Sequence, residues 1–304
     1  MRADDILALT ERDLSRPVLI AGPTASGKSS LALDIARRQG RAIVNADAIQ
    51  VFENWRILTA RPSEADVAVA PHHLYGHIAG DTAYSVGQWL RELEGLVTPA
   101  PRIAPVIVGG TGLYFSALTE GLAEIPPTPE AIRTDAMARL RRGEVGQMTK
   151  ELDPRTRDRI DIANPMRVQR AWEVLQATGQ GLAHWQDSTA PPLLALTHCT
   201  SFVLDAPKDW LTPRIEARFD VMMRDGALDE ARDNLSHWDP SHPSSKAIGA
   251  SELVAVVKGE MTQSEARDRI IIATRQFAKR QRTWFRARMQ ARPSDWTTIF
   301  AANP

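Results

Sequence analysis

Gly22, Pro23, Thr24, Ala25, Ser26, Gly27, Lys28 and Ser29 follow the pattern glycine, four residues, glycine, lysine, serine. That spacing suits wrapping a phosphate. The glycines let successive backbone N–H groups turn toward phosphate oxygens, and a helix starting there adds its positive dipole end. Lys28 would neutralise phosphate charge, and the Ser29 hydroxyl would ligate Mg²⁺. A glycine-rich turn that binds nothing is the plainer alternative; a strand before and a helix after argue against it.

Phosphate need not mean ATP. A P-loop ATPase or GTPase ends a neighbouring apolar strand in an aspartate that holds the metal. Here the apolar run 105–108 ends in Gly109, Gly110, Thr111 and Gly112, with no acid. The acid, Asp47, follows the run 42–44 instead. Such a plan suits a loop that grips a phosphorylated group while a carboxylate faces an acceptor. Taken alone, Asp47 reads equally as a turn or cap residue, and the glycines as a tight turn. If the sheet is parallel, however, both sit on the carboxyl edge with the phosphate loop, where open α/β sheets bind ligands. His72 and His73 lack further ligands at metal spacing and read as structural loop residues. Trp284 reads as a packing residue.

The elements that must hold these residues are legible. Short apolar runs at 17–21, 42–44, 105–108 and 200–204 read as buried strands. Helical periodicity covers 29–38, ending at Gly40, and 86–97. Alternating strands and helices predict a parallel sheet with crossover helices. After Pro126, Pro127 and Pro129 strand character disappears until residue 200, and 130–142, 146–152 and 165–178 read as helices. The expectation is α/β: a P-loop NTPase-like core with a parallel sheet flanked by helices, plus an all-helical insertion. The expected divisions are 1–124, 125–195 and 196–304, with basic helices in the last part.

The 304 residues carry 37 basic and 37 acidic side chains, so charge matters only where it clusters. Arg267, Arg269, Arg275, Lys279, Arg280, Arg282, Arg286, Arg288 and Arg292 lie in one stretch, opposed within it only by Asp268. A weaker excess spans 133–170. Solvated helix faces are the bland alternative for both. No apolar run is long enough to span a membrane, the N-terminus lacks a secretory pattern, and the single cysteine excludes an intrachain disulfide. A cytoplasmic monomer without membrane attachment is expected.

Segments 22–29, 45–52, 71–74, 108–114, 246–249 and 274–281, in this order, resemble the bacterial type of the tRNA dimethylallyltransferase (tRNA isopentenyltransferase) family. The resemblance implies transfer of dimethylallyl from dimethylallyl diphosphate to the exocyclic amine of the adenosine 3′ of the anticodon. It implies that the helical insertion grips the tRNA anticodon arm. Asp47 matches the general base, Thr111 a threonine that positions the reacting groups, and Arg218 an arginine on the diphosphate beside residues 22–29. Asp47, Ala48, Ile49, Gln50, Thr111, Arg133, Met166, Arg167, Val168, Gln169, Arg170, Lys246, Ala247, Ile248, Gly249, Ala250 and Ser251 match tRNA-contacting positions. Phe52, Ala250 and Ser251 depart from the family's usual tyrosine, tyrosine and basic residue.

Three other functions remain open on sequence. A small-molecule kinase would hydrolyse or transfer from ATP and needs no basic insertion. An adenylate isopentenyltransferase would use the same donor with a free nucleotide. A non-catalytic RNA-binding module leaves the phosphate loop and Asp47 without a task.

Overall fold

The computed structural model describes residues 3–290 and 296–300; Arg292 of the basic stretch lies outside them. Six strands form one sheet: β1 Val18–Ala21, β2 Ile43–Asn45, β3 His72–His73, β4 Val106–Gly109, β5 Thr200–Asp205 and β6 Thr297–Phe300. Their order is β3-β2-β4-β1-β5-β6, and every pairing is parallel. β1 and β4 are buried at every position, which is why they read as unbroken apolar runs rather than alternating ones.

The chain divides into two compact units: Met1–Thr119 with Leu193–Pro304, and Glu120–Pro192. The first carries the sheet with helices α1 Ala3–Glu11, α2 Lys28–Gln39, α3 Glu64–Val69, α4 Val86–Val97 and α5 Gly112–Glu120, the last reaching the boundary. The second holds α6 Glu130–Arg141, α7 Val145–Glu151, α8 Pro154–Arg159, α9 Pro165–Thr178 and α10 Leu182–Asp187, and no strand among the described residues. The first unit then resumes with β5, α11 Lys208–Arg224, α12 Ala227–Asp233, α13 Ala250–Val257 and α14 Gln263–Phe285, before β6.

Local chemistry sets these boundaries. Ser85 and Gln88 form a capping box that starts α4, and Trp89, Leu93 and Val97, four apart, bury one face. Thr262 and Glu265 start α14 in the same way. In the helical unit, Asn164 accepts hydrogen bonds from the N–H groups of Met166 and Arg167, Pro165 takes the first helical position, and left-handed Gly179 closes α9. Val168, Ala171 and Trp172 of α9 then pack with Ala136, Met148 and Leu152 as that unit's own core.

Two readings are corrected here. His72 and His73 are strand residues: β3 pairs with β2 through Ile43–His72 and Val44–His73. The basic stretch on α14 is also less free than its sequence implies. Arg267 meets Asp220 at 3.4 Å, Arg275 pairs with Glu216, and Arg286 meets Asp205 at 3.0 Å. These acids come from α11 and β5, invisible to a count along one segment.

Candidate active site

Because β2, β4 and β1 are parallel neighbours, their carboxyl ends open on one edge. β1 runs into the phosphate loop. Ala25 at φ 62 and Gly27 at φ 88 curl that loop, and α2 begins at Lys28. An open cavity of about 360 Å³ lies over it, lined by residues 25–30 and, from α11, by Arg214, Ala217, Arg218 and Val221. Arg214 Nε donates to the Ala25 carbonyl at 3.1 Å and its guanidinium stacks over Trp210. The Ser26 hydroxyl is buried without a hydrogen-bond partner.

Two of the cavity's cations, Lys28 and Arg218, are partly withdrawn from water, while Arg214 is exposed. Burial lowers the Lys28 ammonium to about 8; Asp47 opposes the shift and Arg218 adds to it. Burial likewise lowers Arg218, again opposed by Asp47. The Lys28 ammonium donates to the Pro23 carbonyl at 3.3 Å, and Arg218 Nη2 to the Thr59 carbonyl at 3.3 Å. Neither bond neutralises a charge, so an anion entering the cavity meets two desolvated cations.

The carboxylate is positioned from beneath. Buried Asn45 ends β2; its side-chain oxygen accepts the Asp47 N–H at 2.8 Å, and its amide donates to the Asp47 and Leu74 carbonyls, each at 2.9 Å. Asp47 Oδ1 accepts the Ile49 N–H at 3.1 Å. The Thr111 N–H reaches the Ala46 carbonyl at 3.2 Å, and Thr111 Oγ1 accepts the Ala48 N–H at 2.9 Å. Gly109 is essential to this approach, since a Cβ there would lie 2.0 Å from the Ala46 carbonyl oxygen. Gln50 donates to the carbonyls of Thr59 and Ala60, so Gln50 and Arg218 share the Thr59 oxygen.

Residues 22–29, 47–50, Thr111 and Arg218 thus gather in the first unit around three neighbouring strand ends. Residues 246–251 join the same unit: left-handed Gly249 packs tightly on Leu58 and Ile270. There Lys246 and Ser251 are exposed, whereas Ala247 and Ala250 are buried in the core. Arg133, Met166, Arg167 and Arg170 are exposed on the other unit, but Val168 lies in its core and buried Gln169 donates to Glu173 at 2.7 Å. The side chains of Val168, Gln169, Ala247 and Ala250 therefore build structure rather than a surface. Phe52 is also buried, and its backbone bridges Ile78.

Sequence reasoning missed two site residues. Asn45 carries the Asp47 turn. Gln281 of α14 accepts the Thr24 N–H and donates to the Gly110 carbonyl, both at 2.9 Å. Both stood inside quoted segments, yet an amide's role depends on what it meets in space.

A parallel sheet whose adjoining strand ends carry a glycine-rich loop at a helix start and a carboxylate defines a P-loop-type α/β enzyme. The IPP transferase family model matches residues 50–288, and the isopentenyl transferase family model matches residues 16–72. A tRNA dimethylallyltransferase of Dinoroseobacter shibae is 58% identical over 96% of this chain and 97% of its own. One from Paracoccus denitrificans is 53% identical over 96% of each. The crystal structure of a full-length tRNA isopentenylpyrophosphate transferase from Bacillus halodurans is 28% identical, with a TM-score of 0.66 over 94% of this chain and 90% of that one. A eukaryotic dimethylallyltransferase, described as acting on tRNA, shares the fold at 21% identity, with a TM-score of 0.78 over 95% of this chain and 74% of that one. The chain belongs to the IPP transferase family.

Proposed function

We propose that the chain transfers a dimethylallyl group from dimethylallyl diphosphate to the N6 amine of the adenosine 3′-adjacent to the tRNA anticodon, releasing diphosphate. The observation that carries this reading is the convergence of Lys28, after β1, and Arg218, from α11, on one cavity, with Asp47, after β2, near enough for its charge to act on both. A diphosphate in the cavity would find two desolvated cations, the loop N–H groups and the Ser26 hydroxyl. Asp47 stands on the acceptor side, and its charge is felt by both cations.

The adenine amine is a poor nucleophile because its lone pair is delocalised into the ring. As the C–N bond forms, Asp47 accepts the amine proton, a contribution of typically about 10²–10⁴-fold. The C–O bond to diphosphate breaks with its electrons on oxygen, and Lys28, Arg218 and the loop amides stabilise that charge. Thr111 holds the Ala48 N–H and so the backbone next to the base. The adenine must unstack to enter, at a cost of a few kcal/mol.

The donor set fits Mg²⁺ shared with a phosphorylated ligand. Among the described residues no cluster of His, Cys, Asp or Glu would cage a metal. The exposed Ser29 hydroxyl lines the cavity and would hold the ion together with phosphate oxygens and water. Bound there, Mg²⁺ would offset charge on the leaving diphosphate.

On this reading the exposed Arg133, Met166, Arg167 and Arg170, with Lys246 and Ser251, meet the anticodon arm. No described helix is long and apolar enough to cross a membrane. A monomer acting in the cytoplasm fits this task. Incubation with tRNA and radiolabelled dimethylallyl diphosphate should label the adenosine 3′ of the anticodon. Label on free adenylate, or ATP turnover without label on tRNA, would overturn the assignment.

A further inference from the structure

We propose that Gln281 is a positioning residue that sets the spacing between the loop holding the donor and the loop facing the acceptor. The proposal rests on the function assigned above. Gln281 is 6% exposed, and its carboxamide spans two loops contributed by different strands. Its Oε1 accepts the Thr24 N–H of the phosphate loop, and its Nε2 donates to the Gly110 carbonyl, each at 2.9 Å. One partner is a donor and the other an acceptor, so the amide has a single satisfied orientation. A carboxylate could not donate to Gly110, an ammonium could not accept from Thr24, and an aliphatic chain would orphan both buried groups.

The glycines are shaped around this contact. A Cβ on Gly110 would lie 2.3 Å from Gln281 Nε2, and one on Gly112 would lie 2.2 Å from the Trp284 ring. Gln281 and Trp284 are three apart on α14 and share a face. α14 therefore rests on the glycine loop at two points that bracket Thr111. Thr111 in turn holds the Ala48 N–H, next to Asp47. The path Thr24–Gln281–Gly110–Thr111–Ala48 joins the donor loop to the base through hydrogen bonds and short covalent steps. Both contacts of Gln281 itself are to backbone groups of this chain.

Attack needs the amine and the donor carbon about 3–3.5 Å apart, and a misplacement near 1 Å costs about 10²-fold. Loss of the clasp should thus act on the chemical step. Gln281→Leu keeps the volume and removes both hydrogen bonds. Its single-turnover rate with saturating tRNA and dimethylallyl diphosphate should fall about 10- to 100-fold, while KM for each substrate stays close to wild type. Gln281→Glu supplies a readout that packing alone would not move. Its carboxyl accepts from Thr24 in either state but donates to Gly110 only when protonated, so its rate relative to wild type should climb as pH falls.

A wild-type chemical rate in Gln281→Leu, a defect confined to KM, or a Gln281→Glu profile parallel to wild type would each overturn the proposal. If Gln281→Leu does not fold, Gln281→Glu carries the kinetic test. Amide hydrogen exchange needs no substrate: in a folded variant, peptides containing Thr24 and residues 109–112 should exchange faster together, and unchanged exchange in both refutes the clasp. Absence of tRNA labelling by the wild-type enzyme would instead refute the functional assignment alone, since the exchange measurement still decides the clasp.

Discussion

The cavity over the phosphate loop and the surface of the helical unit treat positive charge in opposite ways. In the helical unit Arg139 pairs with Glu144 and Glu151, Arg142 with Glu144, and Arg155 and Arg159 with Asp187. In the cavity Lys28 and Arg218 are desolvated and donate to neutral carbonyls. Two like charges brought together and partly desolvated, with Asp47 alone acting against the shift of each, are costly and point to a place completed by an anion. Exposed pairs are worth only about 0–1 kcal/mol and mark nothing by themselves. Yet the helical unit is not uniform. Arg167 and Arg170 stand 3.9 Å from Asp161 and Glu173, at the margin of an ion pair, and Arg170 also donates to Thr128. These loosely held arginines are the ones assigned to tRNA.

The sharpest test of the contrast removes the one carboxylate facing the cavity cations. Asp47→Asn keeps the shape and should lower the single-turnover rate by about 10²-fold or more, with both substrates still bound. A near wild-type rate would remove Asp47 from its role. Lys28→Ala should weaken dimethylallyl diphosphate by about 10- to 100-fold, a charged hydrogen bond's share, without changing tRNA affinity. In the wild type, pyrophosphate should displace the donor and ATP should compete poorly; tight ATP binding with hydrolysis would favour a kinase.

The lowered Lys28 value gives a pH signature. Below about 8 the ammonium is charged in the free enzyme; above it the proton is lost and attraction for diphosphate falls. Binding of the anion favours the charged form and takes up a proton on that alkaline side. kcat/KM for the donor should therefore decline as pH rises through about 8, and the same limb should be absent in Lys28→Ala. The smallest effect is expected on the paired surface. Replacing Arg167 and Arg170 by glutamate should weaken tRNA binding and reduce its salt slope by roughly 1 per lost phosphate contact, leaving donor affinity unchanged. Filter binding across salt concentrations checks the first part and calorimetry with the donor the second.

What the sequence made legible follows the same physics. β1 and β4 announced themselves because strands buried on both faces are apolar throughout, and β2 and β5 through the shorter buried apolar runs Ile43 and Val44, and Phe202, Val203 and Leu204. β3 is two histidines at one edge, and β6 at the other buries only Ile299, so neither carries that signature. The phosphate loop was legible because its function lies in local backbone geometry. Gln281 was not, because its partners are 257 and 171 residues away. Separations of 47, 59 and 81 residues likewise hid Asp220, Glu216 and Asp205 from Arg267, Arg275 and Arg286, with which they pair.

The placement of β1 also orders events during synthesis. Its partners are β4, eighty-odd positions downstream, and β5, which comes only after the whole of Glu120–Pro192. A ribosome must therefore complete the helical unit before the strand that carries the phosphate loop gains its second neighbour. Until Val203 has emerged, β1 keeps one edge unpaired, and its four residues are all apolar, a surface prone to aggregation.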